Sequence, residues 1–204
     1  MTSLREQLGG GRETPEFRML LPAGWTLNDT SVETEQRLLR EARSRLREAH
    51  LPDAYASLSE NVRAALERAR TQGAFVLIMP GDVAPDWATV PVSVLGSITT
   101  GRPDASLDEL VADAVERRGA VALDGSRLFL RWAERRTAEV SGEKVGVYTV
   151  VYLTPVPGSK RTKALQFTAV LAHDPAVDPE TDVQIQAWLA MLDASIVTFG
   201  WTDQ

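Results

Sequence analysis

The residues best suited to binding chemistry cluster between positions 127 and 136. Arg127, Arg131 and Arg135 recur at every fourth position, and Arg136 follows directly. Because side chains of a β-strand alternate between its two faces, an extended chain here places the first three arginines on one face. A row of guanidinium groups suits an acidic protein surface or a phosphate backbone. The alternative is that these charges only protect a sheet edge from pairing with another chain.

The residues between the arginines predict which face of this strand is covered. Leu128, Leu130 and Trp132 alternate with the arginines and are typical of a core-facing set. We therefore expect the arginine row, interrupted by Phe129, to be accessible unless a helix covers it.

Trp87 is a second candidate for binding. It lies in a polar segment between Pro80 and Thr89, where an exposed indole would anchor a partner. The alternative is that Trp87 packs back over the sheet, as the other tryptophans are expected to do.

Catalytic and metal-binding patterns are absent from the sequence. There is no cysteine, and the only two histidines, His50 and His173, are separated by the sheet-forming region. No nucleophile elbow or phosphate-binding loop occurs. Carboxylate pairs such as Asp82 and Asp86 are better explained by turns and caps than by a calcium or glycosidase site. We predict no catalytic residue, no metal ligand and no cofactor.

Hydrophobic periodicity predicts the elements that position these residues. Helical stripes indicate a hairpin of two helices over 31–73, then a helix opened by the capping-box spacing of Ser106 and Glu109, and a last helix beginning at Asp178-Pro179. Strands are predicted over 17–21, 74–79 and 90–98. A meander of four strands follows over 120–172, and its third strand is apolar on both faces, which predicts a position near the sheet centre.

These elements predict an α+β fold with a central, mostly antiparallel sheet flanked by helices on both faces, and an added N-terminal helical hairpin. Residues 1–15 contain three consecutive glycines and are expected to form a flexible arm before a single domain over 16–204.

No segment is apolar enough for a signal peptide or a membrane span, so we expect a cytoplasmic protein. A net charge of −6 argues against nucleic acid or a membrane surface as a partner.

The order of the elements resembles the PsbP-like superfamily, which includes the photosystem II accessory protein PsbP, a Ran-binding nuclear import factor and many bacterial proteins. The resemblance lies in a strand running into Leu21-Pro22-Ala23-Gly24-Trp25, a meander from about 127 to 172, and a terminal helix containing Trp188 to Ser195. It implies an α/β/α sandwich in a non-enzymatic protein that binds other macromolecules. The helical hairpin is longer than the family pattern requires, and no family binding residue maps onto this chain.

Two functional hypotheses follow. The first is a non-catalytic binding or assembly protein that uses Trp87 and the arginine strand to hold another protein with an acidic surface. The second is an enzyme or small-ligand carrier with a pocket between the sheet and the 31–73 hairpin. A deep apolar pocket would favour the second, and a flat exposed patch would favour the first.

Overall fold

The computed structural model of the chain describes residues 16–51, 53–101, 107–125, 128–140 and 142–202. The expected arm over 1–15, the cap residue Ser106 and the candidate Arg127 lie outside these ranges. The helices within them are α1 (Val32–Glu48), α2 (Ala54–Thr71), α3 (Leu107–Arg118) and α4 (Val183–Val197). The strands are β1 (Phe17–Arg18), β2 (Trp25–Asn28), β3 (Ala74–Pro80), β4 (Val92–Thr100), β5 (Val121–Ala122), β6 (Leu130–Val140), β7 (Glu143–Pro155), β8 (Lys163–His173) and β9 (Gly200–Trp201).

Seven strands form one antiparallel sheet in the order β2-β3-β4-β8-β7-β6-β5. The predicted meander β5 to β8 is therefore confirmed as four sequential neighbours. β4 returns to pair with β8, which places β8 at the centre and joins the first and last parts of the sheet.

β7 is buried on both faces, as its two-sided apolar pattern predicts. Tyr148 and Tyr152 are 5% and 0% exposed on one face, and Val147 and Val151 are 7% and 5% exposed on the other. Because β7 lies between β8 and β6, helices can cover both of its faces.

Two hydrophobic clusters fill the space above and below the sheet. On one face, α4 packs through Ile185, Leu189 and Leu192 onto a set of strand residues. That set includes Val76, Ile78, Val94, Val150, Tyr152, Phe167 and Leu171. On the other face, α3 packs through Leu107 and Ala114 against Trp132, Val151 and Leu153.

The hairpin of α1 and α2 is confirmed, and local chemistry sets its ends. The side chain of Ser31 accepts the Thr34 amide and caps the N-terminus of α1. Gly73 follows α2 with a φ of 75°, the left-handed conformation that commonly ends a helix.

Two predicted boundaries are wrong. The opening strand ends at Arg18 and pairs with β9 in a separate two-stranded sheet, Phe17 opposite Trp201, while Trp25 begins a strand of its own. The last helix begins four residues later than Asp178-Pro179, because the side chain of Asp182 accepts the Ile185 amide and caps it. Asp178 instead accepts the Glu180 amide in a preceding turn.

Candidate functional site

Arg131 and Arg135 lie on the face of β6 that α4 covers. They share this face with Phe129, which is 2% exposed in the α4 core. Trp132 lies on the opposite face and is buried beneath α3. Both faces of the strand are therefore covered along this stretch, and the expectation of an open arginine row is wrong for Arg131.

Arg131 belongs to a polar cluster between the sheet and α4. Its Nε donates to Asp193 Oδ1 at 3.0 Å, and the Tyr152 hydroxyl donates to the same oxygen at 2.6 Å. Burial, together with the carboxylate of Asp193, raises the pKa of Tyr152 above its usual range. Burial opposes the charge on Arg131, but Asp193 more than offsets it and raises the pKa of the guanidinium. The cluster ties α4 to the sheet.

Arg135 is paired as well. Its guanidinium lies 2.9 Å from Asp178 and 2.6 Å from Glu180, both in the turn that precedes α4. About half of the side chain is exposed, so this contact holds the turn at the surface. Arg131 and Arg135 thus bind carboxylates of this same chain, and the same chemistry that suggested an acidic partner is satisfied internally.

Arg136 does not lie with Arg131 and Arg135. It is exposed on the other face of β6, the face that carries Trp132 and Glu134. The structure therefore separates the four candidate arginines: two are paired on the α4 face, one is on the opposite face, and Arg127 lies outside the described residues.

Trp87 is held at the surface. It occupies a short 3-10 helix, Asp86–Ala88, and its side chain is 64% exposed. The next residue, Ala88, is fully buried, and its carbonyl accepts the indole N–H of Trp25 at 2.8 Å. The backbone beside Trp87 is anchored while the indole projects outwards, so the alternative of packing over the sheet is wrong.

A cleft of about 590 Å³ lies between the α1–α2 hairpin and the edge of the sheet formed by β2, β3 and β4. The helices contribute Leu38, Leu39, Ala42, Leu58, Val62, Ala65 and Leu66 to its walls. The sheet side contributes Leu77, Met79 and Pro80 as the floor. Ala42 of α1 and Ala65 of α2 contribute only small side chains to this lining.

The base of the hairpin is tied to the sheet. Arg70 of α2 donates to Glu35 of α1 at 2.9 Å and to the Thr30 carbonyl at 3.2 Å. Glu35 and Thr30 are 8% and 7% exposed, and the Thr30 hydroxyl donates to the Ala74 carbonyl at 2.7 Å. This buried network fixes the end of the hairpin where both helices meet β3.

Charged residues surround the mouth of the cleft. Arg37, Glu41 and Arg45 are spaced four apart on α1 and line its rim, and Asp82 lines it from the loop after β3. Arg37 pairs with Glu41 at 2.9 Å, and Arg45 pairs with Asp82. The cleft therefore combines an apolar interior with a rim of paired charges.

Sequence reasoning placed a possible pocket here but named none of its lining residues. The signal available was the small side chain of alanine at positions 42 and 65, beside the apolar residues of the two helices. The Arg45–Asp82 pair links an α1 residue to a loop beyond β3, and a contact this distant in sequence leaves no local pattern.

The histidines lie apart from both candidate regions. His50 is exposed at the tip of the hairpin with a φ of 58°, and His173 ends β8 with its Nδ1 2.8 Å from the Asp174 carbonyl oxygen. Over the part of the chain that the structure describes, no group of three histidine or carboxylate side chains is arranged to hold a metal ion. In that same part, none of the helices has the length and hydrophobicity needed to span a membrane.

Comparison with known proteins does not assign the chain to a class. No protein-family model matches the sequence, and none of the curated proteins matches it.

Proposed function

We propose that this chain is a non-catalytic binding protein that holds an apolar ligand in the cleft between the α1–α2 hairpin and the sheet. The observation that carries the proposal is the cleft itself. Its volume of about 590 Å³ lies within the range of roughly 300–1,000 Å³ that is typical of small-molecule sites.

The lining supports binding rather than catalysis. The described residues that line the cleft include no histidine, and its carboxylates Glu41 and Asp82 are engaged in ion pairs with arginines. The hydroxyls of Thr26 and Ser93 have no adjacent imidazole to act as a general base. An apolar ligand would gain free energy by covering Leu38, Val62 and Met79, at about 25 cal/mol per Å² of apolar surface removed from water.

The finer fold assignment is part of this proposal. We propose an α/β/α sandwich of the PsbP-like kind, in which the α1–α2 hairpin is an addition. The α4 cluster on one face and the α3 cluster on the other support this arrangement. The cleft lies beneath the added hairpin, so the ligand site would be a property of this chain rather than of the PsbP-like architecture.

Titration with an uncharged naphthylamine dye tests the cleft. We expect saturable binding of one equivalent with a rise in dye fluorescence. Ala42→Trp, which fills the cleft, should weaken binding by about tenfold or more, because the indole occupies the volume that the dye needs. The matched control is Ala56→Trp, which adds the same side chain at an exposed position of α2 outside the cleft. Absence of saturable binding, or equal binding by wild type and a folded Ala42→Trp variant, would refute the proposal.

A second candidate function is docking of a protein partner on Trp87, favoured by its 64% exposure beside an anchored backbone. Trp87→Ala should abolish capture of that partner without changing the melting temperature. Val121→Ala, which shortens a 59% exposed side chain on the opposite edge strand, is the control. Retention of the partner by Trp87→Ala would exclude this docking site.

A further inference from the structure

We infer that the ligand of the cleft is a long-chain carboxylic acid, an inference that rests on the proposed function. Its chain lies in the apolar interior, and its carboxylate binds the Arg45 guanidinium at the mouth. The two ends of the cleft differ in chemistry, and each end selects one part of such a molecule.

The interior selects the chain. Apart from the hydroxyl residues Thr26 and Ser93, its walls and floor are mainly aliphatic, with side chains such as Leu38, Val62, Leu77 and Met79. A flexible hydrocarbon chain can follow a gap between two helices and a sheet, and it requires no hydrogen-bond partner there. A polar ligand body would leave its own groups unpaired against these residues.

The mouth selects the head group, and Arg45 is the side chain available to bind it. Arg37 is held by two partners, Glu41 on its own helix and Asn28 on β2. Arg45 is held by Asp82, and both members of that pair are more than half exposed, at 59% and 64%. An ion pair this exposed contributes little to stability, so a ligand carboxylate can replace Asp82 at small cost.

The charge of the hairpin favours an anion over a cation. Residues 31–73 contain eight arginines and seven acidic residues, a net charge of +1 in a chain whose total is −6. Arg40, Arg43 and Arg47 lie on exposed positions of α1, the helix that also carries Arg45. A guanidinium also matches the two oxygens of a carboxylate, which makes it more selective for this head group than an ammonium would be.

Competition between lauric acid and dodecanol for the bound dye tests the inference. The two ligands share one chain and differ in the head group. In wild type at pH 8, we expect the acid to displace the dye at about fivefold lower concentration than the alcohol, the size expected of a half-exposed charge-assisted contact.

Three variants separate the role of Arg45 from general electrostatics. Arg45→Gln should remove the preference for the acid, read as the ratio of the acid and alcohol concentrations that displace the dye from this same variant. Arg40→Gln removes the same charge at an exposed position of α1 that does not line the cleft, and should keep the preference. Asp82→Asn removes the competing carboxylate and should tighten binding of the acid alone.

The outcomes distinguish the two proposals. If the dye binds in the cleft but acid and alcohol bind equally, or Arg45→Gln keeps the preference, the carboxylic-acid inference is wrong and the apolar binding site stands. Stronger binding of dodecylamine than of lauric acid would also overturn it. If the dye does not bind to wild type at all, the proposed function fails and the inference fails with it.

Discussion

The hydroxyl of Tyr152 lies 2.6 Å from Oδ1 of Asp193 and joins the most buried strand of the sheet to helix α4. Arg131 lies directly opposite Tyr152 on the neighbouring strand and donates to the same carboxylate oxygen. One carboxylate thus accepts from a buried hydroxyl and a partly buried guanidinium, so its loss would remove the acceptor that the two donors share. Arg131, which the sequence suggested as part of a binding surface, serves here to hold helix α4 on the sheet.

Asp193→Ala should destabilise the protein by about 2–3 kcal/mol, because it removes the carboxylate that a partly buried guanidinium and a buried hydroxyl share. Tyr152→Phe removes one donor together with its need for a partner, and should cost about 1 kcal/mol. Urea denaturation monitored by tryptophan fluorescence measures both. A smaller loss for Asp193→Ala than for Tyr152→Phe would show that the carboxylate does not organise this cluster.

The stability of the protein should fall at alkaline pH. The pKa of Tyr152 is raised in the folded state from an ordinary value of 10.0, chiefly by burial and then by the charge of Asp193. Below pH 10 the hydroxyl is protonated in both states and its contribution is complete. Above pH 10 the unfolded chain releases the proton and the folded chain retains it, so the free energy of unfolding falls by up to about 1.4 kcal/mol per pH unit.

Urea denaturation curves recorded between pH 8 and pH 11 measure the free energy of unfolding and test this dependence. Tyr152→Phe should flatten the alkaline fall without abolishing it, because burial also raises the pKa of Tyr148. An unchanged slope in Tyr152→Phe would mean that this hydroxyl does not titrate differently in the two states.

Gly24→Ala should destabilise the protein more than Gly73→Ala does. Both glycines have positive φ, 73° and 75°, so both substitutions carry a similar backbone strain of about 1 kcal/mol. A Cβ at position 24 would lie 2.3 Å from the Cα of Ala84, whereas a Cβ at position 73 would meet no atom within 4 Å. Chemical denaturation of the two variants isolates the cost of the contact. Equal losses would show that the loop carrying Ala84 moves freely away.

Thr154→Val should leave the protein equally stable or stabilise it by up to about 1 kcal/mol. The side chain is 1% exposed, and its hydroxyl has no hydrogen-bond partner within the described ranges of the chain. Valine has nearly the same shape and removes a buried polar group that lacks compensation. The control is Thr154→Ser, which keeps the hydroxyl and removes the methyl group, and should destabilise. A clear loss in the valine variant would reveal a bonded hydroxyl.

Elements set by local chemistry were predictable from the sequence. The α1–α2 hairpin follows from two amphipathic stripes separated by a Leu51-Pro52 break, and the antiparallel order of β5 to β8 follows from short connections between successive strands. The burial of both faces of β7 follows from its apolar residues at every position from 150 to 153. The start of the last helix was harder to predict from the sequence. Asp178 and Asp182 both precede this helix and both have a side chain that can cap it, and only the backbone geometry selects Asp182.

The sequence by itself determined the fold class and the alternation that places Arg131 and Arg135 on one side of β6, because a strand has a period of two residues. The tertiary structure alone decided what lies against that side. Asp193 lies 62 positions after Arg131, and the two side chains meet because helix α4 packs on this face of the sheet. The tertiary structure also decided whether a cleft exists, because the volume of the cleft depends on the distance of α1 and α2 from β3. The Glu35–Arg70 pair at the hairpin base joins residues 35 positions apart, and a contact this distant in sequence leaves no local pattern.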